Sequence, residues 1–592
     1  MPNHLIVYCG SSNQNNIKVT IGNADYSYYF IYRELADVLS RLGQVHLVDD
    51  LDGVEALYDQ LSADGSPCVL LSITPPHKAP VGLRCPVVCV FAWEFSTIPT
   101  ETWDEDPRND WRHVFAAHGK TITLSEYAAR AVRAAMGNDY PMLVIPTPVW
   151  ERLAPVRAAQ AGHAVRHNAL LPAQGMVLDS RVVHFSPDAL IQGLASMEEV
   201  DDQSLHVPLT VTPAQVLSTT DKRFLTQTGQ RTANQGLVLK DEGDGFWIYG
   251  PYLPWQAGAY AVTVFGRAQL PQGRTGWVDV SCHQGQVILA RRDIDEESLK
   301  NAGPTGCLAD LTISLENDCT DLEVRVWMPA GTQGALYSVE IAPAESARDP
   351  ADAPGTSLTN EAQEVLRPGL ERLVLNGVVY TAVLNPNDGR KNWEDMLSAF
   401  CWTFRDVEDA TLLIKASQHD FSRYGASLQI LLSRLAPFKC RVICIQAYLD
   451  DAAYAKLIQA SSYYVNSSVC EGLCIPILEF MSCGVPAIAP GHTAMADYID
   501  AEVAFVLTAS TEMAAWPHDP RKKRHALRYR MHWDSLCTAY RESYLVAKQE
   551  PERYEHMRQA GLARMREYAD SARVQRALET FLQPQVQEHA AC

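Results

Sequence analysis

Through residues 1–165, short apolar runs recur at intervals: HLIVYC, QVHLVDD, PCVLLSIT, PVVCVFAW, KTITLS and PMLVIPTPV. The stretches between them carry the helical period. Tyr28, Ile31, Leu35, Val38, Leu39 and Leu42 fall on one face, which predicts a helix over residues 26–42 that stops at Gly43. Strands alternating with helices imply a parallel sheet covered on both faces. From 176 to 344 the period becomes two. In LEVRVWM, Leu322, Val324, Val326 and Met328 would face one way and Glu323, Arg325 and Trp327 the other, and GAYAVTVFGRA behaves similarly, which predicts a β-sandwich. A linker rich in Ala, Asp, Pro and Ser covers 345–370, and the α/β alternation returns over 371–592, ending in helices from about Trp533 to Leu582.

Two segments of the last part carry the candidate chemistry. In VNSSVCEGLCIPILEFMSCGVPAIAP, Val465 to Pro490, a buried strand gives way to a loop at Glu471. Pro476 suits the first turn of a helix that runs to Cys483, and Gly484 stops it. The C-terminal edge of a parallel sheet is where open α/β folds bind ligands, and a helix N-terminus there offers amides to phosphate. Glu471 and Glu479 are placed to bind hydroxyl groups. In VVYTAVLNPNDGRKNWEDMLSAFCWTF a strand to about Leu384 is followed by a helix with Met396, Leu397, Phe400, Cys401 and Phe404 on one face. Arg390 and Lys391 then sit at a loop-to-helix junction, suited to neutralising a departing diphosphate. Lys415, ending ATLLIKAS, is a third candidate cation.

The order Glu, Gly, two residues, aliphatic, Pro, Glu and a Cys-Gly-Val-Pro turn resembles the E-x7-E segment of retaining glycosyltransferases, family 4 and its relatives (glycosyl transferases group 1). The resemblance implies a GT-B fold, two Rossmann-like domains facing across a cleft, here with the β-sandwich inserted between them in sequence. It makes Glu471 the donor-sugar contact, Glu479 the ribose contact, and Gly472, Leu473 and Cys474 an amide cradle. The family usually has Phe-Gly where this chain has Leu473 and Cys474. Lys391 matches the family's diphosphate Lys. The family's Arg falls about five residues earlier, at Pro386 here, and Arg390 is the candidate to replace it. Tyr448 lies where the family receives the base, and Thr493, after His492, where it faces the phosphates. In the first half, Gly10 and Ser11 are candidates to approach the diphosphate. Trp93 and Glu94 resemble a Trp-Glu, hydroxyl, Pro pattern of some members and are the candidate acceptor-binding residues, Trp93 offering a ring face and Glu94 a hydrogen bond. The segment TLSEYAARAV around Ser125 also resembles a family strand-Ser-helix unit, and RVQRALETFLQ the helix that crosses back to the first half.

The implied activity is retaining transfer of a hexosyl group from a nucleotide-diphosphate sugar to a hydroxyl of a glycan or lipid-linked glycan, in bacterial surface polysaccharide synthesis. The donor is a co-substrate; no cofactor and no metal are expected, and the acidic groups Asp49, Asp50, Asp52, Asp104 and Asp106 read as solvated loop charge. A phosphorylase or sugar-nucleotide epimerase on the same architecture, and a non-catalytic glycan-binding protein, stay open as alternatives. The net charge of -20 argues against a nucleic-acid partner. The basic stretch RKKRHALRYR, 521–530, reads as a solvated helix face in preference to a contact for anionic lipid or a phosphorylated acceptor. The 15 cysteines are scattered, many within apolar runs, as buried thiols of a reducing compartment are. Cys470, Cys474 and Cys483 lack a second ligand pair at zinc spacing. MPNHLIVYCG reads as a first strand and not a leader, and no run of about 18 apolar residues occurs, so the expected location is cytoplasmic, with peripheral contact at the inner membrane left open. In the β-domain Trp247, Tyr249, Tyr252, Trp255 and Trp277 are read as core packing in preference to a platform for sugar rings.

Overall fold

The computed structural model describes the chain apart from residues 1–2, 11, 14–15, 18–19, 23–25, 161, 173–175, 182–209, 212–214, 220–223, 233–235, 240–242, 256, 284, 302–306, 317–318, 345–371, 419–421 and 584–592. Ser11 and the expected linker 345–370 therefore lie outside the described residues.

The first lobe is a parallel sheet. Its strands run in the order Gln44–Val48, His4–Tyr8, Cys68–Ile73, Val87–Phe91, Thr121–Thr123 and Met142–Val144. CVLLSI and VVCVF are buried at every position, as a sheet covered on both faces requires. The helix Tyr26–Leu42 forms as its period predicts and buries Tyr28, Ile31, Leu35, Val38, Leu39 and Leu42. It also buries one charge, Glu34.

The second lobe is built on the long strand Arg372–Leu384. Ala410–Ala416 and Arg441–Gln446 follow in parallel on one side, and Tyr463–Val465, Ala487–Pro490 and Ala504–Leu507 on the other. Three earlier segments join this sheet antiparallel. Val165–Pro172 pairs with the first half of the long strand, Met176–Asp179 with Arg441–Gln446, and Thr210–Val211 with Met176–Asp179. The stretch from 176 onward, expected to open the β-domain, thus first extends the second lobe, and the β-domain is an excursion from within that lobe's sheet. An apolar strand of four residues fits an edge of either sheet, and only pairing tells them apart.

The β-domain consists of two antiparallel sheets. One holds Gly229–Thr232, Gly236–Leu239, Gln333–Pro343, Gly258–Gln269 and Cys307–Leu315, with Gln215–Ser218 on Gln333–Pro343. The other holds Gly245–Ile248, Cys319–Met328, Gly276–Cys282 and Val287–Ile294, with Pro251–Trp255 on Cys319–Met328. Their facing apolar residues, such as Val262, Ile313 and Val339 against Val280, Val324 and Val326, form one core. Leu322, Val324, Val326 and Met328 point into it, as the period-two pattern predicts.

The chain passes between the lobes twice, and the two passages lie together. After residues 145–164 lead into the second lobe, the helix Pro551–Tyr568 leads back, and Ser571–Leu582 packs on Tyr26–Leu42. Trp150 N–H donates to Ala569 O at 3.3 Å, and Ser571 N–H to a Glu151 carboxylate oxygen at 3.1 Å. A hairpin of the second lobe, Ala509–Ala514 with Ala526–Met531, reaches over the first. Leu527 N–H donates to Ser96 Oγ at 2.8 Å, and Arg521 and Lys523 each meet Glu101 at 2.8 Å. The basic stretch 521–530 is therefore loop and strand, not a helix face; Arg521 and Lys523 clamp the lobes, while Arg528 and Arg530 pair with Glu512 of the same hairpin.

Arg152 ties two buried carboxylates, one from each lobe. Its guanidinium bridges Glu34 of the first lobe (2.7 Å) and Glu479 of the second (2.6 Å). Burial opposes its charge, but the two carboxylates hold its pKa above the ordinary arginine value. Removing Arg152 leaves Glu34 its second partner, Arg33 at 2.8 Å, but leaves buried Glu479 with only the Tyr454 hydroxyl and Arg33 at 3.8 Å, so its charge is poorly compensated. Arg152→Ala should lower stability by about 3 kcal/mol in urea denaturation, and a loss no larger than that of a surface substitution would show that the bridge is not structural.

Candidate functional site

Two loops are stitched together before any charged side chain is considered. Val469 N–H donates to Arg390 O at 2.8 Å, and Ser467 Oγ reaches the carbonyls of Lys391 and Asn392 at 3.0 Å each. The loop after Tyr463–Val465 is thereby laid along the turn Gly389–Lys391 that precedes the helix Trp393–Thr403. This brings Glu471, Lys391 and Arg390 together. Lys391 Nζ lies 2.6 Å from Glu471 Oε1, Arg390 Nη1 lies 2.9 Å from Oε2, and Ser468 Oγ donates to Oε1 at 2.7 Å. Glu471 is 3% exposed, so burial alone would raise its pKa; Lys391 and Arg390 outweigh that and hold it at about 2. Arg390 also binds Asp388 at 2.7 Å and faces Glu94 of the first lobe at 3.6 Å. Burial raises the Glu94 carboxyl, with Arg390 opposing.

The segment between the two glutamates is shaped by close approach. Cys474 caps the helix Ile475–Ser482 in a left-handed conformation, φ 66°, which costs an L-residue about 1–2 kcal/mol. This is the position where the family usually has Gly. Asn466 Nδ2 contacts its Sγ at 3.1 Å. Gly472 lies against the other lobe: a Cβ there would sit 3.0 Å from Ala92 Cβ and 3.1 Å from Trp93 N. Leu473 is buried, and its carbonyl accepts from the Tyr498 hydroxyl.

All of this borders an interlobe cleft of about 980 Å³. Glu471, Gly472, Leu473, Cys474, Glu479 and Tyr448 line it from the second lobe, with Lys391, Arg390 and Lys415, and Trp93 and Glu94 line it from the first. Thr493 stands behind the wall, φ 51°, where its Oγ1 accepts the Glu471 amide at 3.1 Å; His492 beside it stacks on Tyr529. Of the loop after the first strand, Gly22 and not Gly10 lines the cleft. Its carbonyl accepts from Asn385 Nδ2 at 3.1 Å. Glu479 is held by Arg152 and by the Tyr454 hydroxyl at 2.7 Å, so a ribose would share its oxygens with those donors. Burial pushes Lys415 down to about 8, Glu479 opposing.

Trp93 differs from expectation. It is 4% exposed, its Nε1–H donates to Thr97 O at 2.8 Å, and its ring packs on Trp111 (4.4 Å) and Phe95 (5.1 Å), so no open stacking face is left. The first lobe's own Trp111 and Phe95 take its faces, and the hairpin of the second lobe adds His518 edge-on at 5.9 Å. His518 stacks on His77 at 4.4 Å and on Trp111 at 5.6 Å. Burial lowers His77 to about 3 and His518 to about 4, so both rings are neutral near pH 7. His77, His518, Arg152 and Tyr454 were not singled out from the sequence, where a residue whose partner is hundreds of positions away leaves no local pattern.

Residues 376–517 match the family model for glycosyl transferases group 1. No curated protein matches the chain. Among solved structures it is similar to the pneumococcal O-GlcNAc transferase GtfA with UDP and GlcNAc, at 14% identity and TM-score 0.26 over 35% of this chain and 36% of that one. It is similar to S. aureus TarM with UDP at 8% identity and TM-score 0.26, over 35% of each chain. It spans about a third of the length of those two proteins. Against HepE of Anabaena with UDP, identity is 10% and TM-score 0.41 over 98% of this chain and 99% of that one. The two facing α/β lobes are a GT-B fold. In this GT-B chain the matched segment runs from the central strand of the second lobe, through the Glu471 loop, to the hairpin over the first lobe.

The depressed pKa of Glu471 has a consequence for acid stability. Its contribution is complete above the ordinary carboxylate value of 4.5 and is lost as pH falls from there through about 2. Denaturant titrations across that window should show stability falling with pH in the parent, and Glu471→Gln should be less stable near neutrality but with a shallower acid slope.

Proposed function

We propose that the chain is a retaining glycosyltransferase that moves a hexosyl group from a nucleotide-diphosphate sugar to a hydroxyl of a glycan or lipid-linked glycan, in bacterial surface polysaccharide synthesis. The observation that carries the reading is the convergence of Glu471, Lys391 and Arg390 in an interlobe cleft beside the helix Ile475–Ser482. The resemblance to family 4 and the match over 376–517 support it. We read the two-sheet domain as a β-sandwich excursion from the second lobe, and the site of work as the cytoplasmic side, at the membrane face when the acceptor is lipid-linked. Among the described residues, no helix is long and apolar enough to cross a membrane.

In this scheme the diphosphate lies against Lys391, Arg390 and the amides at the start of the helix, with Lys415 nearby. These cations are already partnered. Arg390 holds Glu94 more loosely, at 3.6 Å, than Glu471, at 2.9 Å, so the diphosphate takes Arg390 from Glu94 and leaves the Glu471 contacts in place. Glu471, ionised, accepts from a sugar hydroxyl, and Tyr448 borders the nucleotide end. The acceptor enters from the side of Glu94 and the wall containing Trp93. The bond from the anomeric carbon to the diphosphate breaks, the bond to the acceptor oxygen forms on the same face, and the acceptor proton passes to the departing diphosphate. Lys391 and Arg390 stabilise the charge that develops there.

UDP or GDP should raise the melting temperature by mass action, and donor should be consumed only when a glycan acceptor is present; acceptor-independent turnover would favour a phosphorylase or epimerase. Glu471→Gln should lower kcat by about 10²–10³ with nucleotide binding retained, and near-parental turnover would remove Glu471 from the mechanism. Lys415 loses its proton as pH rises through about 8. Nucleotide affinity should therefore fall across that pH in calorimetry, and Lys415→Met should abolish this dependence; an unchanged profile in the variant would exclude Lys415 as a diphosphate contact.

A further inference from the structure

The β-domain carries a second built cavity, independent of the cleft. It has a volume of about 400 Å³ and is lined by Gln227, Phe246, Tyr249, Tyr252, Glu323 and Arg325. That lies within the usual range for small-ligand sites, roughly 300–1,000 Å³. It opens on the face of the Cys319–Met328 sheet that points away from the core. Strand alternation puts Glu323, Arg325 and Trp327 on that face, and Trp277, Asp279 and Ser281 beside them from Gly276–Cys282. The outer face of a sheet normally carries solvated polar groups. Here Glu323 is 4% exposed and Asp279 0% exposed.

These buried charges are held in fixed positions. Arg325 binds Asp279 through two bonds of 2.7 and 2.8 Å. The Tyr252 hydroxyl donates to Glu323 Oε1 at 2.9 Å, and Ser281 Oγ to Oε2 at 3.1 Å. Tyr252 makes that bond from a left-handed backbone, φ 57°, and its side of the cavity is open, with 41% of the residue exposed. Strain at a non-glycine residue in a cavity wall points to a positional requirement beyond packing. Phe246 and Tyr249 form an adjoining aromatic wall, 5.8 Å apart, with Trp277 edge-on to Phe246 at 5.6 Å. The five aromatic residues grouped from the sequence thus separate: Trp247 and Trp255 are core, whereas Tyr249, Tyr252 and Trp277 belong to this face.

The ligand must match these groups at once. Exposed ring surface asks for C–H faces, and a carboxylate beside a guanidinium asks for hydroxyl groups that can donate to one and accept from the other. An anion would meet Glu323, and a cation would meet Arg325. A neutral, hydroxyl-rich ring satisfies both. We propose that this cavity is a carbohydrate-binding site, taking a neutral pyranose unit of a glycan against Tyr249, Tyr252 and Phe246 with its hydroxyls on Glu323 and Arg325. The proposal does not depend on the reading of the interlobe cleft.

The test uses the full chain and saturation-transfer NMR with the methyl glycosides of glucose, galactose, mannose and N-acetylglucosamine, and separately with choline and methyl phosphate, each of which carries C–H protons to observe. At least one glycoside should give a signal that persists in Glu471→Gln. Tyr249→Ala and Tyr252→Phe, the latter keeping the ring but removing the bond to Glu323, should each weaken that binding by about tenfold or more, with unchanged circular dichroism. Absence of signal from all four glycosides, a signal lost in Glu471→Gln but kept in both tyrosine variants, or binding of choline or methyl phosphate alone would each overturn the proposal.

Discussion

A carboxylate almost without access to water is the constraint on which the cleft depends. Glu471 stays ionised because Lys391 and Arg390 reach it at 2.6 and 2.9 Å, and breaking such a buried pairing leaves charge that the interior cannot solvate. The loop of Glu471 and the turn of the cations belong to different strand ends, so meeting this electrostatic demand fixes the two loops against each other. Arg390 extends the demand to the facing lobe through Glu94. Around two cations stand three carboxylates, Glu94, Asp388 and Glu471. The site is therefore organised by its own charges, and an anion bound as we propose would exchange partners instead of acquiring them.

The lobes hold their spacing through contacts of different kinds at different depths. Arg152 joins Glu34 and Glu479 at the inner end, Gly472 admits the backbone at Trp93, and the hairpin closes the far side with His518 among the rings of the first lobe. The neutral imidazoles of His77 and His518 allow that wall to be apolar near pH 7 while placing ring nitrogens beside the cleft.

Elements whose signal is local could be read from the chain. The helix Tyr26–Leu42 and the alternation in LEVRVWM follow from period alone, and the meeting of Glu471 with Arg390 and Lys391 follows from the place of each beside a strand end and a helix start. What depended on distant pairing could not. Met176–Asp179 is apolar in a way that suits either neighbouring sheet; Trp93 looks available from sequence because its ring partner Trp111 lies far along the chain; and the charges of 521–530 suit a helix face in sequence, although Ala526–Met531 pairs with Ala509–Ala514. The left-handed Cys474 is a mixed case, since the departure from the family's glycine was visible but not the backbone it would have to adopt.

The two covalent passages between the lobes are neighbours, joined by Trp150 to Ala569 and by Ser571 to Glu151. Such a double connection acts as a single pivot. Any opening that released the hairpin from Ser96 and Glu101 and Arg152 from Glu34 would swing about that line, as a door does about its post, while sliding or unscrewing would break both joints together. The mouth farthest from the pivot then sweeps the widest arc.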